Sequence, residues 1–323
     1  MLRPGDTVAL VAPASPMTRP NEPGEVVVAR ARRRLESAGF RTMVAPHALD
    51  TRGYLAGRDE DRARDLMEAF TDPDVDGIVC LGGGYGSMRL LPLLDYETLA
   101  RHPKVFVGYS DITALHVAIG QRAGFVTFHG AMGWDLARVP QTEAEAQADA
   151  FTWHWLLRAL TCPQPLGRLP ASAPWQQAPL RCVVPGRARG PLVGGNLSLL
   201  VATLGTPYEI DTAGRILLIE DVDEAPYRID RMLTQLLLAG KLQAAAGLVI
   251  AEWVDCTPRD PARPTLSVEE VVADLVEPLG KPTVYGLAAG HGPGRLTLPL
   301  GAVVTLDADT PALIVEEPGV GEA

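Results

Sequence analysis

Residues 104–113 read Lys-Val-Phe-Val-Gly-Tyr-Ser-Asp-Ile-Thr. A β-branched apolar run closes on Gly108, a serine follows two residues later, and a helical pattern starts at once. In it Ile112, Leu115, His116 and Ile119 are spaced to share one face. Strand, tight turn, serine, helix is the layout of a nucleophile elbow. The turn forces the serine into a sparsely populated backbone conformation and lifts its Oγ clear of the sheet. The N–H groups that follow open a helix and can bind negative charge. Ser110 is therefore the candidate nucleophile. A serine that only caps a helix makes the same local pattern, and Ile112 stands where the hydrolase motif has its second glycine, so the rest of the chain has to decide.

The chain around the elbow alternates strands with helices. Residues 7–12 are apolar throughout and end at Pro13-Ala14-Ser15-Pro16. A helix is predicted over 25–37, a strand over 41–45, a helix over 59–70 capped by Asp59, and a buried strand over 77–81. This pattern predicts an α/β fold with a largely parallel sheet in the first domain. Ligands gather at the carboxyl ends of such strands, which is where Ser110 and the glycine loop 82–86 sit. Another helix is predicted over 142–160. The stretch 163–190 carries six prolines without periodicity and reads as an interdomain linker and surface loop, on which Trp175 could cover a cleft.

A second, smaller mixed α/β domain is expected beyond it. It has a strand over 215–219 ending at Glu220-Asp221, an amphipathic helix over 227–239, a strand over 248–251 ending at Glu252, and a helix over 268–276. A glycine-rich loop over 286–294 holds His291, and a hairpin is formed by 302–307 and 312–316. The expected divisions are 1–162, 163–190 and 191–323.

A net charge of −10 with no basic, aromatic-interleaved cluster argues against nucleic acid or an anionic membrane as partner. The four cysteines, Cys80, Cys162, Cys182 and Cys256, contain no CxxC pair, so neither a disulfide framework nor a zinc site is expected. No run approaches membrane-spanning length, and Met1 leads directly into a strand without a signal-type segment; a cytoplasmic protein is expected.

Serine needs an adjacent base. Of the six histidines, His116 and His154 read as structural and His47 and His102 lie in ordinary loops. His129 at a strand end and His291 between two glycines lead, with His291 ahead. A base histidine wants a carboxylate behind it; Glu220, Asp221 and Glu252 all end strands, and spacing does not choose among them. The oxyanion donors would be Asp111 N–H and the N–H of Gly83 or Gly84. The loop 82–86 lacks both the Gly-Lys-Ser/Thr of a phosphate loop and the third glycine of the dinucleotide fingerprint, so the oxyanion role ranks above a nucleotide role and no cofactor is expected.

Several ordered motifs together resemble the LD-carboxypeptidases of peptidase family S66. These are Gly53-Tyr54-Leu55-Ala56-Gly57, Gly83-Gly84-Tyr85-Gly86, Gly108-Tyr109-Ser110-Asp111-Ile112-Thr113, Phe128-His129-Gly130, Gly194-Gly195-Asn196-Leu197-Ser198, Glu220-Asp221-Val222, Tyr227-Arg228-Ile229-Asp230-Arg231 and Gly290-His291-Gly292. The resemblance implies a Ser110–His291–Glu220 triad, an oxyanion hole from Asp111 and the Gly83-Gly84 pair, and no metal. It also implies a cytoplasmic homodimer whose first domain resembles class I glutamine amidotransferases. The implied reaction is release of terminal D-alanine from a muropeptide tetrapeptide. The alternatives are an immunity peptidase cleaving aminoacyl-nucleotide antibiotics, with Trp175 and Trp134 as stacking residues, a non-catalytic peptide-binding protein, and a Rossmann-type nucleotide-binding enzyme. Tyr85, Arg228, Arg231 and Trp175 are the candidate substrate contacts, the arginines because guanidinium binds a free carboxylate in bidentate fashion. One departure stands out: many family members have arginine where this chain has Gly82.

Overall fold

The structure is a computed structural model that describes residues 1–321 apart from 19–21, 177–178, 261 and 263. The first sheet is built on β1 (Thr7–Val11), β2 (Arg41–Val44), β3 (Gly77–Cys80), β4 (Val105–Gly108) and β5 (Thr127–His129). These five run parallel in the order β5-β4-β3-β1-β2, as the alternation of strands and helices predicts.

The remaining strands are β6 (Gly167–Arg168), β7 (Arg181–Val184), β8 (Arg187–Asn196), β9 (Ile216–Val222), β10 (Gly247–Val254), β11 (Thr283–Leu287), β12 (Leu298–Leu300), β13 (Val303–Asp307) and β14 (Ala312–Val315). All except β12 form a mixed second sheet in the order β6-β14-β13-β8-β9-β10-β11-β7. β12 returns to the first sheet and pairs antiparallel with β5, Leu298 opposite His129.

Two features of the chain path differ from the sequence reading. The proline-rich stretch 163–190 is not only loop: it supplies β6, β7 and the start of β8, and Leu166, Leu169 and Leu180 are buried. Short edge strands with few apolar residues leave almost no periodic signal, and prolines tolerate edges. The last part of the chain is also shared between the sheets, because β12 leaves the second to complete the edge of the first.

The helices are α1 (Gly24–Ser37), α2 (Asp59–Thr71), α3 (Tyr96–Arg101), α4 (Thr113–Arg122), α5 (Gly133–Leu136), α6 (Glu143–Thr161), α7 (Leu197–Ala202), α8 (Pro226–Leu238), α9 (Lys241–Ala244) and α10 (Val268–Val276). Thr142 caps α6 by accepting from Glu145 N–H at 3.2 Å, and Ser267 with Glu270 forms a capping box on α10. Asp59 does not cap α2. It is the first helical residue, and its carboxylate is paired with Arg62 at 2.5 Å and Arg89 at 2.6 Å.

In β9 both faces are buried. Ile216 and Leu218 join the core shared with the first sheet, while Leu217 and Ile219 join a second core under α7, α8 and α10. Burial on both sides is why 216–219 reads as a continuous apolar run. The two halves meet where α4 crosses β8: Asn196 N–H donates to Thr113 Oγ at 3.0 Å, and a Cβ on Gly195 would lie 2.6 Å from that same oxygen.

Candidate active site

Ser110 stands at the end of β4 with φ of +62°, one of three non-glycine residues with positive φ among those described. A backbone value of this kind costs energy and persists only where the surroundings enforce it. Gly108 and Ile112 help to enforce it: a Cβ on Gly108 would come within 2.6 Å of Ile112. A 3-10 turn over Ser110–Ile112 then leads into α4. The Asp111 carboxylate is buried against Ser87. It accepts from Ser87 N–H at 2.8 Å, and Ser87 Oγ donates to Asp111 O at 2.5 Å, which staples the glycine loop to the elbow. Burial pushes the Asp111 pKa up, against the opposing effect of the Ser87 hydrogen bonds.

The glycine loop closes on the serine. A Cβ on Gly83 would sit 2.9 Å from Ser110 Cβ, 3.1 Å from its Oγ and 3.3 Å from Asp111 N. Ser15, in the bend that follows β1, fixes both peptides beside Gly84. Its N–H donates to Gly83 O at 3.1 Å, and its Oγ accepts from Tyr85 N–H at 3.0 Å. Gly84 has φ of +101° and no room for a side chain, since its Cβ would lie 2.4 Å from Ser15 Oγ. Sequence reasoning passed over Ser15 as part of a strand-ending turn; its only signal is a serine in the bend that follows a parallel strand.

His291 lies on the loop between β11 and β12. Its Nδ1–H donates to Glu220 Oε2 at 2.6 Å, a charge-assisted length. Glu220 is fully buried at the end of β9, and its Oε1 has no hydrogen-bond partner among the described residues. The Tyr109 ring, one residue before Ser110, packs edge-on against the His291 ring at 5.0 Å. Glu220 and Asp221 are neighbours on one strand and so point to opposite faces. Asp221 holds the β8–α7 turn, accepting from Asn196 Nδ2 at 2.9 Å and Ser198 Oγ at 2.7 Å. Glu252 lies behind the histidine loop: a Cβ on Gly292 would meet its Oε2 at 2.4 Å. Burial raises the pKa of Asp221 and of Glu252.

His129 is fully buried, and its Nε2–H donates to Ala289 O at 2.9 Å, bracing the loop that carries His291. Burial pushes its pKa down to about 4. Its role is support from below rather than a place in the cleft.

The remaining predicted contacts are scattered. Tyr85 is 51% exposed beside the glycine loop, edge-on to Tyr54 at 5.4 Å. Trp175 stacks edge-on against Phe151 at 5.0 Å, and its Nε1–H donates to Glu252 Oε1 at 3.4 Å. Arg228 and Arg231 occupy the exposed face of α8, Arg228 paired with Glu224 at 3.1 Å and Arg231 over the Tyr227 ring at 5.5 Å. At Gly82 a Cβ would lie 2.7 Å from the Trp134 ring, so an indole fills the space an arginine side chain would start from. No cluster of three metal-ligating side chains occurs among the described residues, and no helix of the described residues is long and apolar enough to cross a membrane.

Residues 8–130 match the family model for the LD-carboxypeptidase N-terminal domain, and residues 189–306 match the model for its C-terminal domain. The chain is 40% identical to the probable murein peptide carboxypeptidase of Bacillus subtilis, over 99% of this chain and 94% of that one. The crystal structure of muramoyltetrapeptide carboxypeptidase from Oxalobacter formigenes is similar with a TM-score of 0.79 and 31% identity, over 97% of this chain and 99% of that one. The microcin C7 self-immunity protein MccF shares the fold with a TM-score of 0.86 and 24% identity, over 99% and 98% of the two chains. With two domain models matched in order and relatives aligned end to end, the chain belongs to the LD-carboxypeptidase family, peptidase family S66.

Proposed function

We propose that this peptidase hydrolyses an L-to-D amide bond and releases the terminal D-alanine of a muropeptide tetrapeptide, with Ser110, His291 and Glu220 as its catalytic residues. The observation that carries this reading is the fully buried Glu220 carboxylate 2.6 Å from His291 Nδ1, on a loop in ring contact with the residue before a serine of positive φ. Glu220 fixes the tautomer in which His291 Nε2 is free to accept a proton. His291 Nε2 takes the Ser110 Oγ proton as Oγ bonds to the carbonyl carbon. Asp111 N–H and a Gly83 or Gly84 N–H hold the oxyanion. The tetrahedral intermediate then collapses: the C–N bond breaks, His291 returns the proton to the departing amine, and an acyl-Ser110 ester remains. Water, deprotonated by His291, hydrolyses that ester.

The muropeptide substrate is supported by the B. subtilis and O. formigenes relatives, whose names state that specificity. We place the reaction in the cytoplasm and expect a homodimer, with a first domain of glutamine-amidotransferase type over 1–162 and the acid and base supplied by 191–323. A second substrate class deserves an assay arm because MccF, which has this fold, has been crystallised with aspartyl sulfamoyl adenosine. The test is release of D-alanine from a muropeptide tetrapeptide beside hydrolysis of that nucleotide, with native protein and with Ser110→Ala. The proposal expects D-alanine release by native protein alone. Turnover by Ser110→Ala contradicts the mechanism, and cleavage of the nucleotide alone contradicts the substrate.

A further inference from the structure

Arg295 is 2% exposed and sits four residues after His291. Its backbone N–H is anchored on α6 by Thr152 Oγ at 3.0 Å. Its guanidinium reaches three places at once. Nη2 donates to Gly292 O at 3.3 Å and lies 3.1 Å from Asp135 Oδ1. Cζ stands 4.0 Å from the centroid of the Tyr109 ring. Asp135 is itself fixed, accepting from Met132 N–H at 2.9 Å through its other oxygen. Burial works to discharge the guanidinium, but Asp135, Tyr109 and Glu220 outweigh it, and its pKa is raised.

The contacts have a pattern. Tyr109 immediately precedes Ser110, and Gly292 immediately follows His291. One rigid, planar cation therefore touches the chain neighbour of the nucleophile, which follows β4 of the first sheet, and the chain neighbour of the base, on the loop that leaves β11 of the second. Neither the elbow nor the histidine loop can shift by much without losing a contact to it. A buried guanidinium is an expensive way to fill space, and an apolar side chain of similar size commonly serves stability as well. A planar guanidinium stacked on a ring, in contrast, fixes direction as well as distance, here with Nη2 alone making both polar contacts.

We infer that Arg295 is a positioning residue, whose guanidinium holds Tyr109 and the Gly292 carbonyl in register and so sets the approach of Ser110 to His291. This rests on the catalytic roles proposed above. Arg295 touches no reacting atom, so its removal should lower kcat and leave KM almost unchanged.

The experiment compares native protein, Arg295→Lys, Arg295→Met and Ser110→Ala in muropeptide turnover, with rates expressed per folded molecule and thermal midpoints measured alongside. Displacement of a reacting group by about 1 Å costs on the order of 10²-fold, so Arg295→Met is expected to lose about that much kcat with KM within about threefold of native. Arg295→Lys keeps the charge beside Asp135 but not the planar stack on Tyr109, and is expected to recover roughly tenfold of that loss. A lowered midpoint with native kcat per folded molecule, in either variant, overturns the inference. Should Arg295→Met not fold, Arg295→Lys alone decides by the same comparison. Turnover by Ser110→Ala would instead bring down the underlying site reading, which separates the two failures.

Discussion

Glu220 shows how much a single side chain's surroundings decide. Its carboxylate is buried with one oxygen on His291 Nδ1 and the other unpartnered among the described residues, so the orientation of the imidazole depends on that one contact. Glu220→Gln keeps the shape but offers an amide that can equally donate, which favours the wrong imidazole tautomer. In a comparable triad that change costs roughly 10⁴-fold in kcat. A loss of that order, with the thermal midpoint close to native, is expected; a loss under tenfold would mean the carboxylate is not orienting the base. The sequence placed Glu220, Asp221 and Glu252 alike at strand ends. What separates them is which face of the strand each occupies and which loop packs there, and neither is local. Ser110, by comparison, was legible because an elbow is local: the strand, the turn and the helix all lie within ten residues. Arg295 was not, since a lone arginine in a glycine-rich stretch reads as an exposed loop residue until packing buries it.

At the scale of elements, the glycine loop and the elbow form one unit, tied by Ser87 to Asp111 and by Ser15 to the loop backbone. Gly83 is where they touch. Its φ is not among the positive values, but a Cβ there would lie 2.9 Å from Ser110 Cβ, so a methyl group must displace the elbow as well as crowd the Asp111 N–H. Gly83→Ala is expected to cost about 10²–10³-fold in kcat, the scale of a lost oxyanion donor, together with a lowered thermal midpoint. Native kcat in this variant would separate the loop from the oxyanion. Helices were the most legible elements. The 268–276 helix begins and ends where its apolar spacing predicts, and α6 and α8 shift by a single residue at their ends. β6 and β7 were missed because two- to four-residue edge strands take their identity from a partner. The role of β12 as the far edge of the first sheet is a matter of chain path, which no local pattern encodes.

Across the whole molecule, the proposed chemistry depends on two sheets meeting along one seam. Two buried histidines brace it. His116 Nε2–H donates to Gly108 O at 2.9 Å under the elbow, and His129 donates to Ala289 O under the His291 loop. Burial holds both neutral, at about 3 and about 4. The unfolded chain takes up protons near pH 6.5, where the folded one does not. Their contribution is therefore complete above pH 6.5, declines as pH falls, and has gone by the folded values. Asp111, Asp221 and Glu252, raised by burial, act in the opposite sense and favour the fold while protonated, so the net slope is shallower than the histidines alone would give. His129→Gln isolates one group, because its amide can still donate to Ala289 O but cannot titrate. In urea unfolding, the stability of native protein relative to the variant is expected to fall progressively from pH 7 to about pH 4; a constant difference would contradict a buried neutral imidazole. The central claim, that the seam turns Ser110 into a nucleophile, is tested most directly by labelling with a fluorophosphonate and mapping the modified peptide by mass spectrometry. The account predicts one adduct, on Ser110, formed rapidly by native protein and strongly slowed in His291→Ala. An adduct on another residue, or equal labelling of Ser110 with and without His291, would contradict it.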